Sequence, residues 1–472
     1  MNFKGIFYYL GLFCLPISFF SFVNILYSSY FDYFLNIESY FVTLFFSLII
    51  GLVLYFFGLK HSKKINFYEQ LVLIVLIYVV TSFLVSIPYY LSNYQITLIN
   101  SLLESFSGIT GTGFSIFENV KYLDPTLILW RSSSQWIGGL YFLIFLVLFF
   151  SNSQFNYKLN YFFFSGDKSL NPESNIKKIS LKLLFLYSLS TFLIFVLLSS
   201  SNIRLFNSLN LSMSLVSAGG FLPTNSLKQI ITNNTQEIFL IFSFLISIMN
   251  IYFIYNLFVE KNFLKKHYED LMLILMSFIL TLILFFSIKD LNFLHSLISV
   301  LSSLSTSGLS IGNIQENFSL YLLFLTILGG SIISNTSGIK ILRIYILLKA
   351  LFIEIFKLVR PNNIINHNIL FSEEKINSQN IKITFLIFIS FFISLFILSS
   401  VLLFDNINFE NSFKLSVLTL TNTVNSSMYN MSNIEFQNLL TSSKIFLIIF
   451  MIIGKIELIS VILLVKKIFF KN

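Results

Sequence analysis

Four short stretches of this sequence set glycine, serine, threonine or asparagine among apolar residues: SGITGTGFS (107–115), VSAGGFLPT (216–224), LSTSGLSIG (304–312) and LTNTVNSSM (420–428). Their chemistry is that of oxygen ligands. Glycine accepts either sign of φ and can turn its carbonyl freely, and Ser and Thr add hydroxyl oxygens. A ring of such oxygens can replace the water shell of a desolvated cation.

The rest of the chain must position these stretches. With 472 residues, 56% hydrophobic and only 11% charged, it is far from the roughly 25% charge of a soluble domain. The sequence reads as an all-α polytopic membrane protein. Ten apolar runs reach or approach the ~20 residues a membrane helix needs: 5–27, 40–59, 69–92, 126–151, 180–201, 236–259, 268–288, 318–350, 383–404 and 443–468, the eighth with a polar interruption. The first is expected to be an uncleaved span, since no convincing small-residue cleavage site follows it. Lys and Arg collect after the even-numbered runs: KHSKK (60–64), Lys158 to Lys182, EKNFLKKH (260–267), Lys349 to Lys382, and Lys466 to Lys471. By the positive-inside rule those loops and both termini are cytoplasmic. The same rule accounts for the net charge of +9 without nucleic acid. The single Cys14 excludes an intrachain disulfide and a cysteine metal site, and the four histidines are scattered.

From the third run on, the order is span, short outside segment, span, basic loop, four times over. That divides the chain into an N-terminal two-helix extension (1–66) and pore repeats at 67–160, 161–265, 266–372 and 373–472. Each outside segment begins with a short helical piece, at 97–108, 206–216, 292–303 and 410–420. About 12 residues at ~1.5 Å each reach roughly 18 Å, too short for a ~30 Å hydrocarbon core. Four such pieces in register are expected to be re-entrant. Non-helical backbone at membrane depth is tolerated only inside protein or along water, so four of them imply a pseudo-fourfold wet axis. The C-terminal dipole end of each would favour a cation there.

Three further segments carry a family resemblance. LWRSSSQWIGGLYFLIF (129–145), GGSIISNTSGIKILR (329–343) and GKIELISVILL (454–464) resemble, in order, the segment after the first filter, the Gly/Ser-rich intramembrane loop and the final span of the TrkH/KtrB superfamily of potassium transporters. The two extra N-terminal spans match the TrkH branch better. The resemblance implies gated, channel-like uptake of K⁺, the transported ion, through a backbone-carbonyl filter, with no tightly bound cofactor. It also implies a homodimer in the inner (plasma) membrane and a separate cytosolic nucleotide-binding subunit of the TrkA type, since no nucleotide-binding domain is evident in this chain.

Residue by residue, the family's key glycines fall on Gly113, Gly220 and Gly308, preceded by Thr110, Gly111 and Thr112, by Ala218 and Gly219, and by Thr306 and Ser307. The fourth stretch aligns through Asn422 and Thr423, and Val424 stands where a glycine is expected. The gating loop would use Gly329, Gly330, Ser334, Asn335, Thr336 and Gly338, with Ile333 and Ser337 at positions where the family usually has glycine. Charges inside spans default to function: Lys455 and Glu457 are expected within the last span, Lys455 at the family's arginine position. Lys340, counted with the gating residues, and Arg343 are alternatively expected to snorkel to the cytoplasmic interface. Glu104, in the first short helix, could stabilise the filter from behind or attract cations, and His295 is expected to be a packing or surface residue.

Two other function classes fit the sequence less well. A secondary transporter coupling a solute to Na⁺ or H⁺ would usually show a two-part inverted repeat rather than four filter stretches. A membrane enzyme would need a catalytic motif, and neither HExxH nor a Walker A motif is present. Val424 supplies a test. If the fourth position needs a left-handed backbone, a β-branched residue costs about 1–2 kcal/mol there, and a ring short of one ligand should discriminate K⁺ from Na⁺ less well. Val424→Gly is therefore expected to raise the K⁺/Na⁺ permeability ratio in bi-ionic flux measurements, and Val424→Ile is not. Equal ratios for wild type and Val424→Gly would defeat the expectation.

Overall fold

A computed structural model describes residues 2–59, 65–150, 176–253, 256–257, 267–288, 291–312, 315–360, 366–371, 375–405 and 407–469. The basic runs at 60–64 and 260–266, Lys158, Lys168 and Lys471 lie outside the described residues, as do the expected repeat boundaries at 160, 265 and 372. Among the described residues the regular elements are helical, apart from one isolated bridge between Asn368 and Lys375.

Among the described residues, seven helices are long and apolar enough to cross a membrane: α1 (Phe3–Tyr30), α2 (Ile37–Gly58), α3 (Phe67–Leu91), α5 (Pro125–Phe150), α6 (Ile176–Ser200), α9 (Tyr268–Ser287) and α13 (Ser378–Leu402). Four half-length helices alternate with longer ones: α4 (Leu98–Thr110), α7 (Leu205–Val216), α10 (Phe293–Leu304) and α14 (Phe409–Leu420). The remaining helices are α8 (Asn234–Ile248), α11 (Ser319–Leu328), α12 (Ile341–Val359), α15 (Thr441–Lys455) and α16 (Leu458–Phe469). Their starts follow local chemistry. Asn66 with Glu69, and Asn233 with Gln236, form capping boxes on α3 and α8. Pro125 opens α5, where a missing N–H costs nothing.

Helix α5 lies at the centre and is almost wholly buried, whereas α2 is largely exposed and presents Phe45, Phe46, Phe56 and Phe57 outward, as a lipid-facing helix does. The α1–α2 hairpin is held by close backbone approach. A Cβ on Gly11 would lie 2.5 Å from the Gly51 carbonyl oxygen and 2.6 Å from the Tyr55 nitrogen, the small-residue contact that membrane helices use in place of hydrophobic collapse.

Three expected spans are broken. The eighth, whose interruption the sequence indicated, consists of α11, a loop at 329–340 and α12. The sixth was expected to be continuous over 236–259, but α8 ends at Ile248. Its backbone groups find tertiary partners there: the Ile248 carbonyl accepts from the Ser331 N–H at 3.0 Å, the Asn250 N–H donates to Asp270 Oδ1 at 2.9 Å, and the Ile251 N–H donates to the Ile333 carbonyl at 3.1 Å. The tenth bends by 105° between α15 and α16. Lys455 is thus the last residue of a helix and Glu457 sits in the break with φ +65°, so these two do not share one continuous span as expected.

Candidate functional site

The four half-length helices end in the same way. A residue with φ between +48° and +78° stands at the cap of the first and directly after the cap of the other three: Gly111, Ala218, Thr306 and Asn422. This common left-handed step turns the chain out of the helix and fixes the register of the strands beyond it. In the second, third and fourth strands the next N–H then reaches back to the helix: Gly219 to the Ser214 carbonyl at 2.8 Å, Ser307 to Ser302 at 3.2 Å and Thr423 to Leu418 at 2.9 Å. In the first strand it is Gly113 that bonds Ser107, at 3.4 Å.

The strands converge at the position after that. A Cβ on Gly113 would lie 2.9 Å from the Gly220 Cα, and one on Gly308 would lie 2.9 Å from Val424 Cγ1. Val424 also packs on Gly220, where a Cβ would lie 2.5 Å from its own Cβ. Gly113 and Gly308 take φ of +82° and +70°, whereas Gly220 and Val424 are not left-handed. The strain expected at Val424 is therefore not incurred. What remains of that departure is its isopropyl group, wedged against two glycines.

The strand hydroxyls are engaged with the helix ends. Thr110 and Thr112 hydroxyls lie 2.8 Å apart, Ser305 and Ser307 2.9 Å, and Thr421 and Thr423 3.0 Å. A serine one turn back braces three strands: Ser107 donates to the Phe114 carbonyl at 2.7 Å, Ser214 to the Gly219 carbonyl at 3.2 Å, and Ser302 meets Ser307 at 3.2 Å. Leu418 replaces it in the fourth. These serines escaped sequence reading because serine is common in the short helices; their recurrence six residues before the first three key positions was the available signal.

Behind the first strand, Glu104 is fully buried and accepts from Arg131 Nε at 2.8 Å and from the Ile116 N–H at 2.8 Å. Arg131 also donates to Ser115 at 2.9 Å and lies over the Phe221 ring at 4.1 Å. Glu104 thus braces the strand from behind, and Arg131, a charge inside α5, is the partner sequence reading passed over. His295 is half-buried, with its Nε2 3.0 Å from Glu237 Oε1. Outside the converging strands a cavity of about 790 Å³ opens, lined by Gly113, Gly220, Gly308 and Val424 and rimmed by Glu118, Lys228 and Glu435.

On the helix-end side, the loop at 329–340 closes against the strands. Gly329 and Gly338, with φ of +64° and +85°, pack its two legs so tightly that a Cβ on Gly338 would lie 2.8 Å from the Thr326 carbonyl. Ile333 and Ser337 have ordinary backbone, so nothing at either position requires glycine. Gly330 donates to Thr336 Oγ1 at 3.0 Å, and Ser334 meets Thr336 at 2.7 Å. Asn335 Nδ2 donates to the Val216 carbonyl at 2.7 Å, the Ser337 N–H to Thr306 Oγ1 at 3.2 Å, and Ser337 Oγ to Asn422 Oδ1 at 3.1 Å. Asn422 in turn donates to Thr112 Oγ1 at 2.9 Å. The loop touches the second, third and fourth strands directly and the first through Asn422.

Two buried ammonium groups complete this face. Lys455 Nζ donates to the Asn335 carbonyl at 3.0 Å and would lie 3.5 Å from a Cβ on Gly111. Lys340 Nζ donates to the Thr336 hydroxyl at 2.9 Å and to the Thr336 carbonyl. Both flank the Phe142 ring, at 4.6 Å and 5.9 Å from its centroid. The expected snorkelling is overturned: Lys340 is 1% exposed and Arg343 2%, the latter bonded to Glu457 at 2.7 Å. Each side chain finds oxygen partners in the broken segments and has no need of the interface.

The fold defines an all-α, multi-pass membrane protein. The chain belongs to the TrkH family, described as cation transport proteins, whose profile matches residues 36–271. It is 28% identical over 458 residues to a cation transporter of Methanocaldococcus jannaschii, covering 90% of this chain and 89% of that one. It is 24% identical over 441 residues to the Trk system potassium uptake protein TrkG of Escherichia coli, covering 88% and 87%. Its fold matches the crystal structure of the potassium transporter TrkH from Vibrio parahaemolyticus with a TM-score of 0.83 over 98% of each chain, at 20% identity.

Removing one member of a buried ion pair strands the other, at a cost of roughly 3–5 kcal/mol. Glu104→Leu is therefore expected to lower the thermal midpoint in detergent sharply, and Glu104→Leu with Arg131→Met to recover much of it. Equal loss in the single and double variants would contradict the pairing.

Proposed function

We propose that this chain carries K⁺ across the cytoplasmic (inner or plasma) membrane through a gated pore. The observation that carries the reading is the convergence, in one register, of four helix C-termini that each end in a left-handed residue. Carbonyls of Thr110, Gly111 and Thr112, of Ala218 and Gly219, of Thr306 and Ser307, and of Asn422 and Thr423 supply the ion ligands, with Gly113, Gly220, Gly308 and Val424 at the outer end. Four helix dipoles aim partial negative charge at that centre. Relatives named as potassium uptake proteins support K⁺ as the ion. The chain is read as four pore repeats after a two-helix extension, with both termini cytoplasmic, acting as a homodimer with a cytosolic nucleotide-binding subunit.

The gate in this reading is the loop with Gly329, Gly330, Ser334 and Gly338, together with Lys340, Lys455 and Glu457. In the arrangement seen here, Asn335 and Ser337 cap the inner end of the strands and Lys455 adds a positive barrier beside Gly111. Opening requires the loop to exchange these bonds for water.

Purified protein in liposomes is expected to pass tracer K⁺ down its gradient and Na⁺ more slowly. Lys455→Ala is expected to raise K⁺ leak several-fold. Absence of K⁺ flux, or strict dependence on a Na⁺ or H⁺ gradient, would defeat the pore reading. Level or lower flux in well-folded Lys455→Ala would remove the barrier role.

A further inference from the structure

The second strand differs from the other three at one point. The residue before the key position carries a hydroxyl in the first, third and fourth strands (Thr112, Ser307 and Thr423), each bonded to a hydroxyl at the helix end. The second strand has Gly219 there, and its helix-end Ser217 bonds its own helix instead, at 2.9 Å to the Met213 carbonyl and 2.8 Å to the Ser214 carbonyl.

The space that a side chain on Gly219 would fill is occupied. A Cβ built there would lie 2.5 Å from Gln135 Cδ and 2.8 Å from Gln135 Nε2, and closer still to Oε1. Gln135 is fully buried on α5, behind the strand. Its Oε1 accepts from the Phe221 N–H at 3.3 Å. In a trans peptide the N–H and the preceding C=O point in opposite directions. An acceptor behind the strand that holds the Phe221 N–H therefore turns the Gly220 carbonyl away from α5. The Gln135 amide group does this in a slot that only a glycine at 219 leaves open.

We propose that Gln135 is a specificity-determining positioning residue: a side chain lent by α5 to the second strand, which aims the Gly220 carbonyl and so sets discrimination between K⁺ and Na⁺. The proposal rests on the reading of these strands as the ion filter. Gly219 is then required for what it admits rather than for its backbone freedom, since its φ is not positive.

The test is bi-ionic K⁺/Na⁺ permeability of reconstituted protein, with monodispersity as the folding control. Gln135→Met keeps the volume but removes the acceptor, and is expected to lower the permeability ratio several-fold while K⁺ flux persists. Gln135→Glu keeps an acceptor in place and is expected to stay near wild type. Gly219→Ala drives a methyl into the amide, and is expected to lower the ratio as Gln135→Met does. A wild-type ratio in Gln135→Met, or equal losses in Gln135→Met and Gln135→Glu, overturns the aiming role. Gly113→Ser separates the two readings. If it lowers the ratio and Gln135→Met does not, the filter stands and this proposal falls. If it too leaves the ratio unchanged, the filter assignment falls and the proposal with it.

Discussion

Irregular backbone inside a membrane must find its hydrogen-bond partners within the protein or in water, and most of this structure follows from that demand. Four strands and three helix breaks lie in a body otherwise made of apolar helices. At the breaks of the sixth and eighth spans, side chains and a second loop supply what the helix no longer does. Asp270 takes the Asn250 N–H and Glu269 takes the Ile332 N–H at 2.7 Å, so two adjacent carboxylates at the start of α9 hold the breaks of the sixth and eighth spans together. The two breaks also bond each other directly, Ser331 to Ile248 and Ile251 to Ile333. They form one polar seam, and movement of either leg disturbs the other.

The same demand explains why the four strands are alike in turn but unlike in bracing. Their left-handed step is common because each leaves a helix end in the same direction. What stands behind each strand depends on its neighbours. The first has the Glu104–Arg131 pair, the second has Gln135, and the third and fourth rely on hydroxyl pairs. Helix α5 contributes two of these braces, consistent with its near-complete burial. Four strands within one chain can be braced differently in this way, whereas strands from identical subunits could not.

Buried cations are the costly element. Lys340, Lys455 and Arg343 would each be expensive in hydrocarbon, and all are held by oxygens of the broken segments: Thr336, Asn335 and Glu457. The polar seam therefore hosts charge as well as backbone. Asn335 joins the two roles, its carbonyl accepting from Lys455 while its side-chain amide donates to the Val216 carbonyl.

Apolar run length and the fourfold recurrence of small polar residues were sufficient, from sequence alone, for the all-helical membrane class, the half-length helices and the stretches that meet at the centre. Those features are local: a helix too short to cross and a run rich in Gly, Ser and Thr can be recognised without knowing their neighbours. The polar interruption of the eighth span was legible for the same reason. The sixth span's break was not, because its cause lies elsewhere in the chain, at Ser331, Ile333 and Asp270. Nor was the fate of Lys340 and Arg343, since snorkelling and burial differ only in whether oxygens wait nearby. Val424 stood out in the sequence, but its backbone was not foreseeable: φ is set by how the strand meets Gly220 and Gly308. Sequence determined which residues could serve as oxygen ligands; only tertiary contact decided which side chains stand behind each strand as braces.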